Sequence, residues 1–139
     1  LIATTGFADK ILIPMDEGQK DHLKAYGMAF WVLQKDQEVD WLLNYKGGSF
    51  MIQYHDIFEK QLKLKGVSYQ RISNAESAAI VKEIENPAVN ASVVKLLTAP
   101  KVAVYSPKTA QPWDDAVTMV LTYAEIPHDV VFDDEVLDG

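Results

Sequence analysis

The residues best suited to bind a ligand lie near the carboxyl end of this 139-residue chain. Ser106 follows a short apolar run, Trp113 and Asp114 open a helical pattern, and Asp133 and Asp134 end a second apolar run. If the two runs are parallel strands joined by a helix, these side chains meet at the carboxyl edge of the sheet. Doubly wound sheets bind ligands at that edge, so these five residues are the ligand-binding candidates.

Each candidate acid also has a purely structural explanation. Asp114 and Asp115 fall in the first turn of the predicted helix, where a carboxylate near the positive end of the helix dipole contributes about 0.3–1 kcal/mol. Two acids in that place would repel a phosphate group. Asp133, Asp134 and Glu135 form a solvated acidic edge in the default interpretation. Helix capping and solvation are therefore favoured over ligand contact.

The sequence contains no pattern typical of a cofactor site or a metal site. Residues 106–111 contain no glycine, so the phosphate-binding fingerprint of a dinucleotide fold is absent. The Lys-Gly-Gly-Ser stretch at 46–49 lies between two strand-like runs, which favours a tight turn over a phosphate loop. His22, His55 and His128 have no helical pair spacing, and no acidic loop has calcium-binding spacing. We predict no cofactor and no metal.

Composition and charge exclude several classes of protein. The chain has no cysteine, which excludes a disulfide scaffold and a thiol nucleophile within these residues, and no G-x-S-x-G elbow is present. The catalytic residues are therefore unknown. The net charge is −7, and residues 100–139 hold 2 Lys/Arg against 8 Asp/Glu, which argues against nucleic-acid binding. No apolar run of about 18 residues occurs, so no membrane span is predicted.

The first eight residues, LIATTGFA, resemble the tail of a secretory signal peptide. They are apolar and rich in small residues, Gly6 and Ala8 occupy the −3 and −1 positions, and the polar pair Asp9-Lys10 follows. A disordered or strand-forming start is the alternative. The pattern favours export, so we expect a periplasmic or secreted protein.

Hydrophobic periodicity predicts an N-terminal α/β domain over residues 9–99, with a mixed sheet and flanking helices. Lys46-Gly47-Gly48 gives a hairpin signal, Gly66 ends a helix, and Ser73 with Glu76 matches a capping box. The apolar stripe of the first helix is wider than one face, which indicates cover on more than one side or an interface. The predicted strands are 10–15, 39–45, 49–54, 67–72 and 92–97 (with a short helix as the alternative for the last), and the predicted helices are 19–35, 57–66 and 73–86.

Residues 100–139 predict a second α/β domain after a boundary at Ala99-Pro100. A strand at 101–106, a helix at 111–125 and a strand at 128–134 form the first β-α-β unit of a flavodoxin-like, doubly wound sheet. Most strands of such a sheet would lie past Gly139. We therefore expect this second domain to be incomplete.

Three segments resemble a known group of proteins: PWDDAVTMVLTYAEIP at 112–127, ILIPMDEGQKDHLKAYG at 11–27 and WLLNYKGGSF at 41–50. The group consists of exported proteins of Bacteroidetes-type bacteria that carry the label asparagine synthetase B. The resemblance covers nearly the whole chain, which would be about the N-terminal third of such a protein. Synthetases of that class use an N-terminal cysteine and an S-G-G-x-D-S loop. Neither occurs here, so no functional residue can be carried over.

A second resemblance, at the level of fold alone, is confined to residues 101–134. They are similar to the start of class I glutamine amidotransferase-like domains, in which the cysteine elbow and its histidine come later. Two functions follow from the sequence. The first is a non-catalytic binding or interaction module with a protein partner, or within a larger chain. The alternative is the N-terminal part of an amidotransferase-like or hydrolase-like enzyme, with its nucleophile beyond residue 139.

Overall fold

The computed structural model describes residues 9–107, 109 and 115–137. The predicted α/β class, with helices flanking a sheet, is confirmed. None of the helices in these ranges is long and apolar enough to cross a membrane. In chain order the elements are β1 Lys10–Ile13, α1 His22–Gln34, β2 Val39–Leu43, β3 Ser49–Gln53, α2 Asp56–Lys65, β4 Gln70–Ile72, α3 Asn74–Ile84, β5 Ser92–Leu96, β6 Ala103–Tyr105, α4 Ala116–Tyr123, β7 Asp129–Val131 and α5 Asp133–Leu137.

The first five strands form one sheet in the order β4-β1-β3-β2-β5. All four of its pairings are antiparallel, whereas the sequence predicts a mixed sheet. The reason is topological. Helix α1 connects β1 to β2, and β3 lies between these two strands in the sheet. Helix α2 connects β3 to β4, and β1 lies between them. The first six elements thus follow the split βαβ arrangement of ferredoxin-like folds.

Strand β1 is buried on both sides of the sheet. Ile11 and Ile13 contribute to one apolar cluster and Leu12 to another, because successive side chains of a strand point to opposite faces. The first cluster lies under α1 and α2, and the second lies under α3. Other members are Met28, Val32, Phe58 and Leu62 in the first cluster, and Leu42, Met51 and Ile84 in the second.

The local signals in the sequence are found where predicted. The β2–β3 turn has positive φ at Gly47 (78°) and Gly48 (89°), and the Met15 amide donates to the Lys46 carbonyl at 3.0 Å. A Cβ at Gly47 would lie 2.5 Å from the carbonyl carbon of Met15, so only glycine fits. The capping box of α3 forms as well. The predicted strand over 67–72 is shorter, because only Gln70–Ile72 pair with β1.

The elements β6, α4, β7 and α5 make up what we call the second unit, and those before them the first unit. Strands β6 and β7 pair in parallel, and α4 comes between them in the chain. The predicted strand–helix–strand order is therefore present, and its extension to a flavodoxin-like sheet stays a prediction. The predicted end of the last strand at Asp134 is wrong. Strand β7 ends at Val131, and Asp133 begins a short helix because acids favour a helix start and Glu135 accepts a hydrogen bond from the Phe132 amide at 2.6 Å. The predicted helix start, at 111, lies outside the described residues.

Replacing Leu12 by alanine tests the double-sided core. Leu12 is 1% exposed in β1, so Leu12→Ala leaves a cavity between the sheet and α3. We expect the free energy of unfolding in urea to fall by about 2–5 kcal/mol. Leu64→Ala is the matched control, because Leu64 is 70% exposed and its loss should change stability by less than about 0.5 kcal/mol. Equal effects of the two changes would contradict the proposed core.

Candidate functional site

Two of the predicted ligand-binding residues, Ser106 and Asp133, lie near the carboxyl edge of β6 and β7. Tyr105 ends β6 and Ser106 follows it, with the Ser106 amide donating to the Val131 carbonyl at 2.9 Å. The Tyr105 hydroxyl donates to Asp133 Oδ1 at 2.5 Å. Asp134 lies beside Asp133 in α5, while Trp113 and Asp114 lie outside the described residues.

Few polar groups at this edge are available to bind a ligand. The hydrogen bond to Asp133 raises the pKa of Tyr105, because the protonated phenol is the donor. Tyr105 and Asp133 thereby satisfy each other, and the adjoining hollow of about 370 Å³ is otherwise lined by Val136 and Leu137. Ligand contact by Ser106, Asp133 and Asp134 stays a prediction. Within the described ranges no group of three His, Cys, Asp or Glu side chains is arranged to hold a metal ion.

The acid preceding α4 acts as its cap. Asp115 accepts hydrogen bonds from the Thr118 amide, at 2.9 Å, and from the Thr118 hydroxyl. These bonds lower the pKa of Asp115, because they stabilise its charged form. At Asp115, helix capping is therefore the structural role.

Helix α1 is the element to which the second unit is fastened. Ala124, at the end of α4, lies so close to Gly27 that a Cβ on Gly27 would overlap the Ala124 carbonyl oxygen. Gly27 and Ala124 are both buried, with Ala124 only 2% exposed. The wide apolar stripe predicted for α1 is explained by its three packing partners, since the helix packs on the sheet, against α2 and against α4.

Polar contacts surround that close approach. Asp21 caps α1 by accepting from the Lys24 amide at 2.9 Å, and it also accepts from the Tyr123 hydroxyl at 2.5 Å. Glu125 pairs with Lys24 at 3.6 Å and with Lys65 of α2. Burial acts to raise the pKa of Asp21, but the bonds from Tyr123 and Lys24 outweigh it and hold the pKa below its ordinary 3.8. The bond to Asp21 raises the pKa of Tyr123.

The second unit exposes many of its large apolar side chains. Helix α4 has the sequence AVTMVLTY, yet none of its described side chains is buried. Met119 is 62% exposed and Leu137 is 83% exposed, although both are large apolar residues. We call this region the apolar surface of the second unit. Its members are Tyr105, Val117, Met119, Val120, Tyr123, Val130, Phe132, Val136 and Leu137.

A cleft lies between α1 and the chain segments that lead into β6 and β7. It consists of two adjoining cavities, of about 440 Å³ and about 460 Å³, which share Phe30 and Pro100. The first is mostly apolar and the second is more polar. Further lining residues used below are Tyr26, Trp41, Phe50, Lys95 and Leu97 in the first, and Gln34, Lys101, His128 and Asp129 in the second.

The cleft is not among the sites predicted from the sequence. Tyr26 and Phe30 fall in the predicted helix 19–35, and Trp41 falls in the predicted strand 39–45. Periodicity identifies such residues as apolar positions but does not say which of them a neighbouring element leaves uncovered. The polar residues of the second cavity are far apart in sequence and share no motif.

Comparison with known proteins adds no relative: no protein-family model, no curated protein and no solved structure matches the chain. The assignment of function therefore depends on the geometry described above.

Replacing Gly27 by alanine tests the attachment of the second unit. Helix propensity alone favours alanine over glycine by about 0.8–1.0 kcal/mol. In this structure the added methyl group would displace Ala124, so we expect faster amide exchange at Ala124 and Ile126 and no gain in stability. Gly18→Ala is the control, because its Cβ would meet only the Asp16 carboxylate, at 3.1 Å. A stabilised Gly27→Ala variant with unchanged exchange would contradict the contact.

The Asp21–Tyr123 hydrogen bond predicts a pH-dependent stability. The Asp21 carboxylate has a lowered pKa, so the hydrogen bond contributes fully to the free energy of unfolding above pH 3.8. That contribution is lost as the pH falls through the folded-state pKa of Asp21. The Tyr123 phenol has a raised pKa, so the same contribution is complete below pH 10.0. It is lost as the pH rises through the folded-state pKa of Tyr123. We expect Tyr123→Phe to lower the free energy of unfolding between pH 3.8 and pH 10.0. Below the folded-state pKa of Asp21 and above that of Tyr123, the stabilities of the variant and the unmodified chain should converge.

Urea unfolding across this pH range measures the difference. Tyr26→Phe is the matched control, because the Tyr26 hydroxyl has no hydrogen-bond partner in the part of the chain that the structure describes. A Tyr123→Phe penalty that does not change with pH would show that the hydrogen bond is not its cause.

Proposed function

We propose that this chain is a non-catalytic interaction module of an exported protein, and that its second unit docks a further protein layer. The observation that carries the proposal is the apolar surface of the second unit, above all the absence of any fully buried residue in the apolar helix α4. Export is supported by the signal-like segment 1–8 and by the resemblance to exported proteins labelled asparagine synthetase B.

The pairing of β6 and β7 indicates the kind of layer that docks. Parallel sheets occur almost only with both faces covered, and a two-stranded pair is marginal by itself in water. Val130 is 40% exposed and Tyr105 is 54% exposed, so this pair is incompletely covered. Further strands and helices of a doubly wound layer would extend the parallel pair and bury α4 at the same time.

Charge argues against a second copy of this chain as the occupant. Residues 100–139 hold 2 Lys/Arg and 8 Asp/Glu, so two copies joined through this surface would bring like charges together. A neutral or basic protein layer avoids that repulsion. Such a layer is the occupant that we propose.

A second candidate function is the N-terminal part of an amidotransferase-like or hydrolase-like enzyme. The observation that favours it is the position of Ser106 and Asp133, which follow β6 and β7 at the carboxyl edge of a parallel pair, where doubly wound enzymes place their sites. Sequencing the gene past the Gly139 codon separates the two functions. A stop codon would exclude this candidate, whereas a cysteine at a strand-to-helix turn with a later histidine would exclude the non-catalytic module.

Photo-crosslinking in the source cells tests the docking proposal. A photoreactive amino acid at Met119, which is 62% exposed on α4, should give a strong crosslink to a protein layer, either in a partner or elsewhere in the same polypeptide. The control position is Leu64, which is equally apolar and 70% exposed but lies on α2. Crosslinking at Met119 no greater than at Leu64 would overturn the proposal. The intact mass of the same purified protein tests cleavage after Ala8.

A further inference from the structure

We propose that the cleft beside α1 binds a small zwitterion of the amino-acid class with an aromatic body. Its aromatic part would occupy the apolar cavity, and its carboxylate and ammonium groups would face the polar cavity. The cleft shares none of the residues of the apolar surface of the second unit, so this inference stands apart from the docking proposal.

The apolar cavity presents an ordered aromatic floor. Phe50 lies between Tyr26, in an edge-to-face contact with ring centroids 5.6 Å apart, and Trp41, in a stacked contact at 6.2 Å. The Trp41 indole is fixed because its Nε1 donates to the Gly48 carbonyl at 3.1 Å. Rings arranged in this way favour a further ring stacked on them or meeting them edge-on. The cavity of about 440 Å³ is within the size range of small-molecule sites.

The polar cavity contains one cation and one anion that do not neutralise each other. Neither Lys101 nor Asp129 makes a side-chain ion pair or hydrogen bond within the described ranges, although both line this cavity. Lys95, at the rim of the apolar cavity, differs because it pairs with Glu38 at 2.8 Å. Lys101 and Asp129 are therefore the charges that remain available to a ligand.

Opposite charges in one cavity determine the ligand class. A simple carboxylate would be attracted by Lys101 and repelled by Asp129, and a simple amine would meet the reverse. A zwitterion satisfies both, and electrostatic complementarity of this kind gives specificity. The Gln34 amide adds a donor and an acceptor. His128 holds its Nδ1 at 3.0 Å from the Ile126 carbonyl, which leaves Nε2 available.

The two cavities can hold one ligand because they adjoin. Phe30 and Pro100 line both, so a molecule that passes between them would place its ring over Phe50 and its head at Lys101 and Asp129. An aromatic amino acid has this division, with its ring and its charged groups at opposite ends.

The test uses the ¹⁵N-labelled chain and three matched probes, titrated by NMR. L-Phenylalanine carries both charges, 3-phenylpropanoate lacks the ammonium group, and 2-phenylethylamine lacks the carboxylate. We expect L-phenylalanine to shift the Trp41 indole and the Lys101 and Asp129 amides, and to bind roughly two- to fivefold more tightly than either analogue, the range that single exposed charge pairs contribute. Equal binding of an analogue, shifts elsewhere, or no shifts would overturn the proposal.

Two pairs of variants locate the binding. Lys101→Gln should abolish the preference for L-phenylalanine over 2-phenylethylamine, whereas Lys60→Gln on α2 should leave it unchanged. Leu97→Asp should weaken all three probes because it places a charged carboxylate in the wall of the apolar cavity. Leu64→Asp should not, since Leu97 and Leu64 are both exposed but only Leu97 lines the cleft. Cleft signals that shift with protein concentration before any probe is added would identify a second copy as the occupant and overturn the proposal.

Discussion

The burial of β1 on both faces is the constraint on which the rest of the structure depends. Four residues, Lys10–Ile13, pair with β3 on one side and β4 on the other, and their alternating side chains enter two separate cores. Helices α1 and α2 must therefore cover one face, and α3 must cover the other. Loss of β3, β4 or any of the three helices would expose apolar surface that belongs to β1 or its two cores, so these elements depend on one another.

Helix α1 connects the core of the first unit to the second unit. It is held on the sheet through Met28 and Val32, and its other side contacts the end of α4 at Gly27. Because this backbone contact is close and is surrounded by the Asp21–Tyr123 hydrogen bond and the Glu125 ion pairs, the second unit is joined to a rigid helix. The cleft is a consequence of the same arrangement, since the chain must pass α1 twice, at residues 99–102 and again at 126–129.

Burial differs sharply between the two units, and the difference bears on function. The first unit has two cores of buried apolar side chains, whereas the apolar helix α4 has no fully buried residue. Contiguous exposed apolar patches mark protein, membrane or ligand sites, which is the basis of the docking proposal. Under that proposal the acidic charge of the same region would restrict the partner, because like-charged surfaces do not associate readily.

The sequence by itself determined the local structure of this protein, because short-range physics decides it. Glycine at the β2–β3 turn, the Ser73–Glu76 capping box and the strand–helix–strand order after Pro100 all follow from neighbouring residues. Only the tertiary structure decided that the sheet is antiparallel throughout and that Asp133 begins a helix. It also decided that Lys101 and Asp129 line one cavity with Gln34. These features depend on which elements become neighbours, and that is fixed by packing between segments far apart in the chain.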